Sequence, residues 1–138
     1  MDFRFHRFER LKSEKTISLL FKKGQSFSCY PLRLVYLVID PLSKSAETPN
    51  LSPIQFSLSV SKKNFKHAVD RNILRRRVRE AYRLHKHELY LFLQDNPIHS
   101  EKQFAFMVIY TAKEALPYVD IQKGIRKMIV KFKQELGN

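Results

Sequence analysis

Apolar and polar positions alternate with two different periods along the first half of the chain. Apolar residues recur at helical spacing between Ser13, a favourable N-cap, and Gly24, a common helix stop, so a first helix is predicted there. Residues 26–39 are rich in aromatic and β-branched side chains and alternate in part, which predicts a short strand followed by a longer one. The polar, proline-containing stretch 41–53 is typical of a hairpin loop, and residues 54–60 alternate as a third strand.

The second half of the chain adds a long helix, a buried strand and a last helix. The long helix is predicted from about residue 70 to 93, and residues 104–110 are apolar enough for a central strand. Pro117 opens the last helix, which carries one apolar stripe. The stripe consists of Ile121, Ile125, Met128, Ile129, Phe132 and Leu136. The predicted order is α-β-β-β-α-β-α, an α+β fold in which helices pack on one sheet.

Length and composition indicate one folded domain over residues 1–138. A chain of 138 residues that is 43% hydrophobic can bury one core but is short for two. Residues 1–12 are basic and aromatic without a period, so we expect them to form a flexible arm. No apolar run approaches the roughly 18 residues of a membrane span, and the N-terminus lacks the apolar stretch of a secretory signal. The single cysteine, Cys29, fits a reducing cytoplasm.

The charge balance points to a polyanionic partner. The chain has 26 Lys and Arg against 13 Asp and Glu, a formal net charge of +13 at pH 7. Such an excess repels itself in a compact fold, and phosphates recruit basic chains through counterion release, so nucleic acid is the expected partner. An anionic membrane surface is the alternative. It requires a helix with a broad uncovered apolar face, and every predicted helix needs its apolar face for the core.

The long helix separates apolar from basic side chains. On a helical wheel the apolar half holds Ile73, Leu74, Val78, Ala81, His85, Leu89 and Phe92. The opposite arc holds Asn72, Arg75, Arg76, Arg79, Arg83 and Lys86. Arg77 falls on the apolar side, so its head group is expected to reach outward along the helix. An ordinary solvated helix would mix charge signs, whereas here Glu80 and Glu88 are too few to neutralise the arginines, whose guanidinium groups suit bidentate contacts with phosphate.

The sequence around this helix resembles the bacterial ribonuclease P protein family. The string SLSVSKK at 57–63 is followed by AV at 68–69 and by the pairs RN, RR and RE that begin at residues 71, 75 and 79. In that family an RN dipeptide opens a long basic helix shortly after a strand that ends in SKK. The resemblance extends upstream through Arg10-Leu11-Lys12, Phe21, Gly24 and Tyr36, and covers roughly residues 10–136.

The resemblance implies both a fold and a set of binding residues. The fold is a two-layer sandwich with a mixed four-stranded sheet, in which a left-handed crossover joins the third and fourth strands through the basic helix. The residues expected to bind the catalytic RNA are Lys62, Lys63, Arg71, Asn72, Arg75, Arg76, Arg79 and Arg83. A cleft between the first helix and the sheet would hold the single-stranded 5′ leader of precursor tRNA, lined by Ile17, Phe21 and Tyr36.

The resemblance also assigns the chemistry to the partner RNA. The expected partners are the catalytic RNA and the precursor tRNA leader, with neither DNA nor a membrane, and Mg²⁺ is expected to be held through RNA rather than by this chain. No catalytic residue is expected in the protein, because no acidic cluster, nucleophile elbow or triad spacing is present. His85 and His87 lie two residues apart, so on a helix they point in different directions and cannot chelate one metal ion well.

Several alternatives remain open at this level. Ile17 stands where the family commonly has an aromatic, and Ile73 replaces the second arginine of the usual RNR string. Phe21 and Tyr36 could be ordinary core residues, because most large aromatics are buried. The protein could also be a ribosomal or assembly factor with a similar fold, which would have no use for the cleft, or a self-sufficient nuclease, which the missing acidic cluster disfavours.

Overall fold

The structure is a computed structural model that describes residues 4–39 and 52–137. A short 3₁₀ helix (Arg7–Glu9) precedes three helices and four strands. The helices are α1 (Glu14–Lys23), α2 (Ala68–Asp95) and α3 (Tyr118–Gly137), and the strands are β1 (Gln25–Cys29), β2 (Leu32–Ile39), β3 (Ile54–Val60) and β4 (Gln103–Tyr110). The predicted order of elements is confirmed. Most of the predicted hairpin loop at 41–53 lies outside the described residues.

The four strands form one mixed sheet in the order β1-β2-β4-β3. β2 pairs antiparallel with both β1 and β4, whereas β3 pairs parallel with β4, so α2 has to cross from one of these two strands to the other. This arrangement confirms the mixed sheet and places β4 in the interior, as its apolar sequence predicts. The left hand of the crossover stays a prediction.

Helices cover the two faces of the sheet unequally. The even-numbered residues of β4 and those of β2 up to Tyr36, such as Leu34 and Phe106, belong to the large core under α2 and α3. The odd-numbered residues between them, such as Val35 and Met107, form a smaller cluster with Leu20 of α1. Because neighbouring strand residues point to opposite faces, α1 lies on the other side of the sheet and adds a partial third layer to the expected sandwich.

The ends of α1 follow their predicted signals, although the glycine acts for another reason. The Ser13 hydroxyl accepts a hydrogen bond from the Thr16 amide, as an N-cap should. Gly24 caps the other end with an ordinary φ of −69°. A Cβ atom at Gly24 would lie 2.4 Å from the Leu20 carbonyl oxygen and 2.9 Å from Cγ1 of Val35. Glycine is therefore required by close approach between α1 and the sheet, and a left-handed turn is not involved.

The segment before α1 is docked, and this corrects two sequence predictions. Residues 4–11, expected as part of a flexible arm, pack against β3 and α2: the Phe5 ring lies edge-on to Phe56 and Tyr82, and Leu11 is buried. Lys86, expected on the exposed arc of α2, is buried as well. The helical wheel misplaced Lys86 because it could not show that the segment ahead of α1 covers this side of α2.

A buried ion pair fixes the docked segment. The ammonium group of Lys86 donates to both carboxylate oxygens of Glu9, at 2.5 and 2.7 Å, and also to the Arg4 carbonyl oxygen. The Tyr90 hydroxyl donates to Glu9 Oε1 at 2.8 Å. Both charged side chains are at most 4% exposed, so each depends on the other for its solvation.

The middle of α2 offers a direct test of the core. Leu74 is fully buried between α2 and the sheet, so Leu74→Ala is expected to lower the free energy of unfolding by about 2–5 kcal/mol. Urea denaturation measures this change. A midpoint close to that of the wild type would show that this side of α2 does not face the core.

The ion pair offers a second test. Glu9→Gln leaves the Lys86 charge buried without its partner, which is expected to destabilise docking of the segment by about 3–5 kcal/mol. Native-state hydrogen exchange of the Leu11 amide, which donates to the Phe56 carbonyl oxygen, reports this opening directly. Glu14→Gln, at an exposed position of α1, is the control with the same charge change. Equal exchange rates at Leu11 in the two variants would contradict the role of the ion pair.

Candidate nucleic-acid interface

The arginine face of α2 is exposed along its first half. Asn72, Arg76 and Arg79 are exposed and Arg75 is partly covered, whereas Leu74 on the opposite side is fully buried. The buried side is rotated relative to the helical wheel: Ile73, His85 and Phe92 of the predicted apolar half are only partly buried, and residues on another side of the helix are buried instead. Tyr82, Lys86 and Leu93 are the additional buried residues.

Two segments distant in sequence bring four cations to one cleft. Residues 10 and 11 run beside β3, where Arg10 forms a parallel bridge with Phe56. Arg10 and Lys12 thereby lie with Arg75 and Arg79 around a cleft of about 260 Å³. Arg10 and Lys12 belong to the family resemblance but were not among the predicted RNA-binding residues. Their alternation around the buried Leu11 is the sequence signal that marks an extended segment with both cations on one side.

The charges in this cleft act on one another. Partial burial lowers the pKa of the Arg79 guanidinium, and the positive charges of Arg10 and Arg75 lower it further. The side chains that line the cleft include no acidic group. Four cations would therefore attract an anion bound there, and the anion would reduce their mutual repulsion. A phosphate group fits this chemistry.

The connection between β3 and α2 and the first turn of α2 carry further cations. Lys62 and Lys63 are exposed in a turn, and the Lys63 amide donates to the Ser61 hydroxyl. Arg71 donates from one guanidinium nitrogen to the carbonyl oxygens of Phe65 and Lys66, both at 2.9 Å. Arg71 therefore holds the connection in place, and part of its hydrogen-bonding capacity is already used.

Two other arginines of α2 are committed to protein contacts. Arg83 makes two hydrogen bonds to the Glu80 carboxylate, at 2.6 and 3.0 Å, which lower the pKa of Glu80. Its charge is thus partly compensated, unlike those of Arg75 and Arg79. Arg77 reaches out of the apolar side, as predicted, and donates to the Leu116 carbonyl oxygen at 2.6 Å.

The other face of the sheet carries a candidate site for an unstacked base. Leu20 is fully buried beneath α1, whereas Phe21 beside it is 58% exposed and Ile17 is partly buried. The core interpretation of Phe21 is therefore wrong. Beyond the strand positions that α1 covers, the same face of the sheet holds Arg33, which is exposed and donates to the Ser26 hydroxyl at 2.9 Å. Arg33 was not predicted as a site residue, because its alternation with buried residues indicates only a strand.

Tyr36 does not belong to this face. Its ring packs edge-on against Phe132 of α3, with ring centres 5.0 Å apart, and the residue is 5% exposed. Its hydroxyl donates to Glu135 Oε2 at 2.6 Å and lies 2.9 Å from the side-chain oxygen of Gln25. Burial, aided by the bond to Glu135, raises the pKa of the Tyr36 hydroxyl. The predicted place of Tyr36 in a cleft under α1 is wrong, because alternation along β2 turns Val35 toward α1 and Tyr36 away from it.

The histidines of α2 contact neighbouring side chains. His85 lies between α2 and α3, where its Nε2 is 3.1 Å from the Gln122 amide nitrogen, and burial lowers the pKa of its imidazole. Within residues 4–39 and 52–137, no three His, Cys, Asp or Glu side chains lie close enough together to hold a metal ion. In the same ranges, no helix has the length and apolarity needed to cross a membrane.

Comparisons with known proteins all indicate the same family. The family model described as Ribonuclease P matches residues 5–133. A ribonuclease P protein component of Porphyromonas gingivalis is 36% identical over 123 residues, which are 89% of this chain and 82% of the relative. A ribonuclease P protein component of Chlorobaculum tepidum is 30% identical over 123 residues, which are 88% of this chain and 77% of the relative.

Solved structures share the fold. The RNase P protein of Thermotoga maritima superimposes with a TM-score of 0.63 at 20% identity, covering 88% of this chain and 96% of the other. The RNase P protein of Staphylococcus aureus gives a TM-score of 0.61 at 21% identity, covering 90% and 94%. At such low identity these two likenesses concern the fold alone. The family model and the sequence relatives carry the assignment: the chain belongs to the bacterial ribonuclease P protein family.

Proposed function

We propose that this chain binds the catalytic RNA of ribonuclease P and the 5′ leader of precursor tRNA, and so assists removal of the leader to give mature tRNA 5′ ends. Family membership makes it a component of a tRNA-processing endoribonuclease that works with an RNA subunit. The observation that carries the finer proposal is the cleft between the N-terminal segment and α2, where Arg10, Lys12, Arg75 and Arg79 surround a space without acidic side chains.

The cleft and the adjoining turn supply the contacts proposed for the catalytic RNA. Arg75, Arg76 and Arg79 present guanidinium groups from one helix, and a guanidinium can grip phosphate oxygens with two parallel hydrogen bonds. Lys62 and Lys63 extend the positive surface through the turn before α2. Each phosphate neutralised releases condensed counterions, so this surface favours binding at low salt whatever the base sequence.

The exposed ring on α1 supplies the proposed contact to the leader. Phe21 leaves 58% of its surface free, beside Ile17 and on the same sheet face as Arg33. Single-stranded RNA is bound by stacking bases on aromatic rings next to positive charge, and both are available here. The proposed leader contacts are therefore Ile17, Phe21 and Arg33, and Tyr36 is not among them.

The protein's own contribution to cleavage would be affinity and charge compensation. A catalytic RNA and its tRNA substrate are both polyanions, so bringing them together is opposed by charge repulsion that a basic protein between them reduces. The described side chains offer no cluster that could hold Mg²⁺. In this proposal the RNA subunit holds the Mg²⁺ and carries out the chemical step. The free thiol of Cys29 fits a cytoplasmic location.

One reconstitution tests the proposed division of labour. Precursor tRNA is incubated with the purified protein alone, with a bacterial ribonuclease P RNA alone, and with both. We expect no cleavage by the protein alone, slow cleavage by the RNA at high Mg²⁺, and faster cleavage at lower Mg²⁺ with both. Cleavage by the protein alone would favour a self-sufficient nuclease, and an RNA reaction unaffected by the protein would contradict the proposal.

The arginine cleft predicts opposite effects on binding and on stability. Arg75→Ala with Arg79→Ala should weaken binding to the catalytic RNA and reduce the slope of log affinity against log salt by about two, one for each lost phosphate contact. Unfolding stability should stay equal or rise, because the change relieves repulsion with Arg10. Lys102→Ala with Lys113→Ala removes the same charge outside the cleft and is the control. Equal slopes for the two variants would contradict a specific site.

The exposed ring predicts a selective loss. Phe21→Ala should weaken binding of precursor tRNA to the holoenzyme by about 1–3 kcal/mol, leaving mature tRNA, which lacks the leader, almost unaffected. Because Phe21 is mostly exposed, the melting temperature should hardly change. Its buried neighbour provides the control: Leu20→Ala should lower the melting temperature and affect both ligands alike. If the ratio of the two affinities in Phe21→Ala equals that of the wild type, Phe21 does not contact the leader.

A further inference from the structure

A second basic groove lies at the opposite edge of the sheet from the arginine cleft. α3 and the end of β1 enclose a groove of about 550 Å³, larger than the arginine cleft. Four cations line it, Lys123, Arg126, Lys127 and Lys131, and none of the described residues that line it is acidic. None of the residues that line this groove is among the proposed contacts to the catalytic RNA or the leader.

The groove is built from the side of α3 that the core does not need. Lys123, Lys127 and Lys131 repeat every fourth residue, so they form a row in which neighbours are displaced by about 6 Å along the helix axis. The core residues Ile125 and Phe132 lie on the opposite side of the same helix and are fully buried. Removing Lys123 and Lys127, which are both exposed, would therefore leave the packing of α3 intact, and their presence is not explained by the fold.

Close packing of α3 against the turn between β1 and β2 preforms the groove. A Cβ atom at Gly124 would lie 2.9 Å from Cδ of Pro31, so glycine permits the approach. Lys131 is oriented across the groove: its ammonium lies 3.4 Å from the Ser28 carbonyl oxygen and 5.0 Å from the centre of the Phe27 ring. One wall of the groove thus has a cation already positioned by the protein.

Two acidic side chains of this region, Glu88 and Glu135, are engaged by other partners. Lys133 donates to Glu88 at 2.9 Å, and Tyr36 donates to Glu135 at 2.6 Å. The hydrogen bond from Lys133 lowers the pKa of Glu88, and the positive charge of Arg126 adds to this effect, so Arg126 is partly compensated. No ion pair within the described ranges involves Lys123, Lys127 or Lys131. The row of lysines is therefore a concentration of positive charge that an anionic partner would neutralise.

We propose that this α3 groove binds the phosphate backbone of a second RNA segment, separate from the one in the arginine cleft. The inference rests on the proposed function, in that it takes the protein to be an RNA binder. β1 and β3 are the two outer strands, about 14 Å apart across the sheet. With a cation site beyond each of them, one protein can hold two RNA segments together and compensate the charge of both.

The lining of the groove favours RNA over other anionic partners. A regular row of cations matches a polymer that carries phosphates at regular intervals. A helix that binds an anionic membrane presents a broad apolar face, whereas the only exposed large apolar side chain lining this groove within the described ranges is Val130. Protein interfaces likewise deplete lysine and concentrate apolar side chains at their centre.

Salt-dependent binding tests the proposal. Lys123→Ala with Lys127→Ala is compared with the wild type for binding to a bacterial ribonuclease P RNA and, separately, to precursor tRNA. We expect the affinity for one of these RNAs to fall roughly tenfold and its log–log salt slope to shrink by about two, with an unchanged melting temperature. The arm that changes identifies the RNA in the groove. Lys102→Ala with Lys113→Ala is again the control of equal charge, and an equal effect of the two variants overturns the proposal.

Two further arms separate this proposal from the proposed function. Wild-type protein that binds neither RNA refutes the proposed function itself. If the wild type binds and Arg75→Ala with Arg79→Ala weakens binding, but the α3 variant matches the wild type, only the second groove is refuted. Phosphatidylglycerol vesicles serve as the competing anion: vesicle binding that depends on Lys123 and Lys127, with both RNA slopes unchanged, also overturns the proposal.

Cross-linking gives a measurement independent of affinity. In a Cys29→Ser background, Gln134→Cys places a thiol at an exposed position of the groove lining, where it can carry a photo-activated cross-linker. We expect cross-links to the same RNA whose salt slope changed, and none from Lys113→Cys in the same background. Equal cross-linking from both positions, or none from Gln134→Cys, would show that RNA does not occupy the groove.

Discussion

The central strand β4 constrains everything else in this structure. It pairs with β2 on one side and with β3 on the other, and nearly all of its side chains are buried. The parallel partner cannot be reached by a hairpin, so the chain between β3 and β4 has to cross one face of the sheet, and α2 makes this connection. One side of α2 is buried in the core that packs on β4. The side left over is the only part of the helix free to carry an arginine cluster.

Docking of the N-terminal segment converts that arginine surface into a cleft. The buried pair of Glu9 and Lys86 holds residues 4–11 against α2 and β3, and this brings Arg10 within reach of Arg75 and Arg79. Burial of this one ion pair thus brings several positive charges close together at the nearby surface. The desolvation cost of the buried pair is offset by its hydrogen bonds, and the repulsion between the surface cations is reduced because they keep access to solvent.

Local sequence pattern was enough to predict the helices and strands. It failed for residues whose burial or role depends on contacts with segments distant in sequence. Alternation and helix caps place all seven helices and strands to within a few residues, because these signals are local. Lys86 was misplaced because a helical wheel cannot include a segment about eighty positions away. Tyr36 was placed on the wrong face because strand parity fixes which residues share a side without saying which helix covers it. Arg10 was passed over because its role depends on that same docked segment.

Docking through Glu9 and Lys86 has a consequence for how this protein is handled. Half of the cations in the arginine cleft come from a segment close to the chain terminus, and one buried carboxylate keeps that segment in place. If the arginine cleft binds RNA as proposed, an affinity tag or a trimmed N-terminus that strains this attachment lowers RNA affinity although every arginine of α2 is present. The same change also costs stability, because Phe5 and Leu11 leave the core and Lys86 loses its partner. Preparations that differ only at their first residues would then differ in both activity and stability.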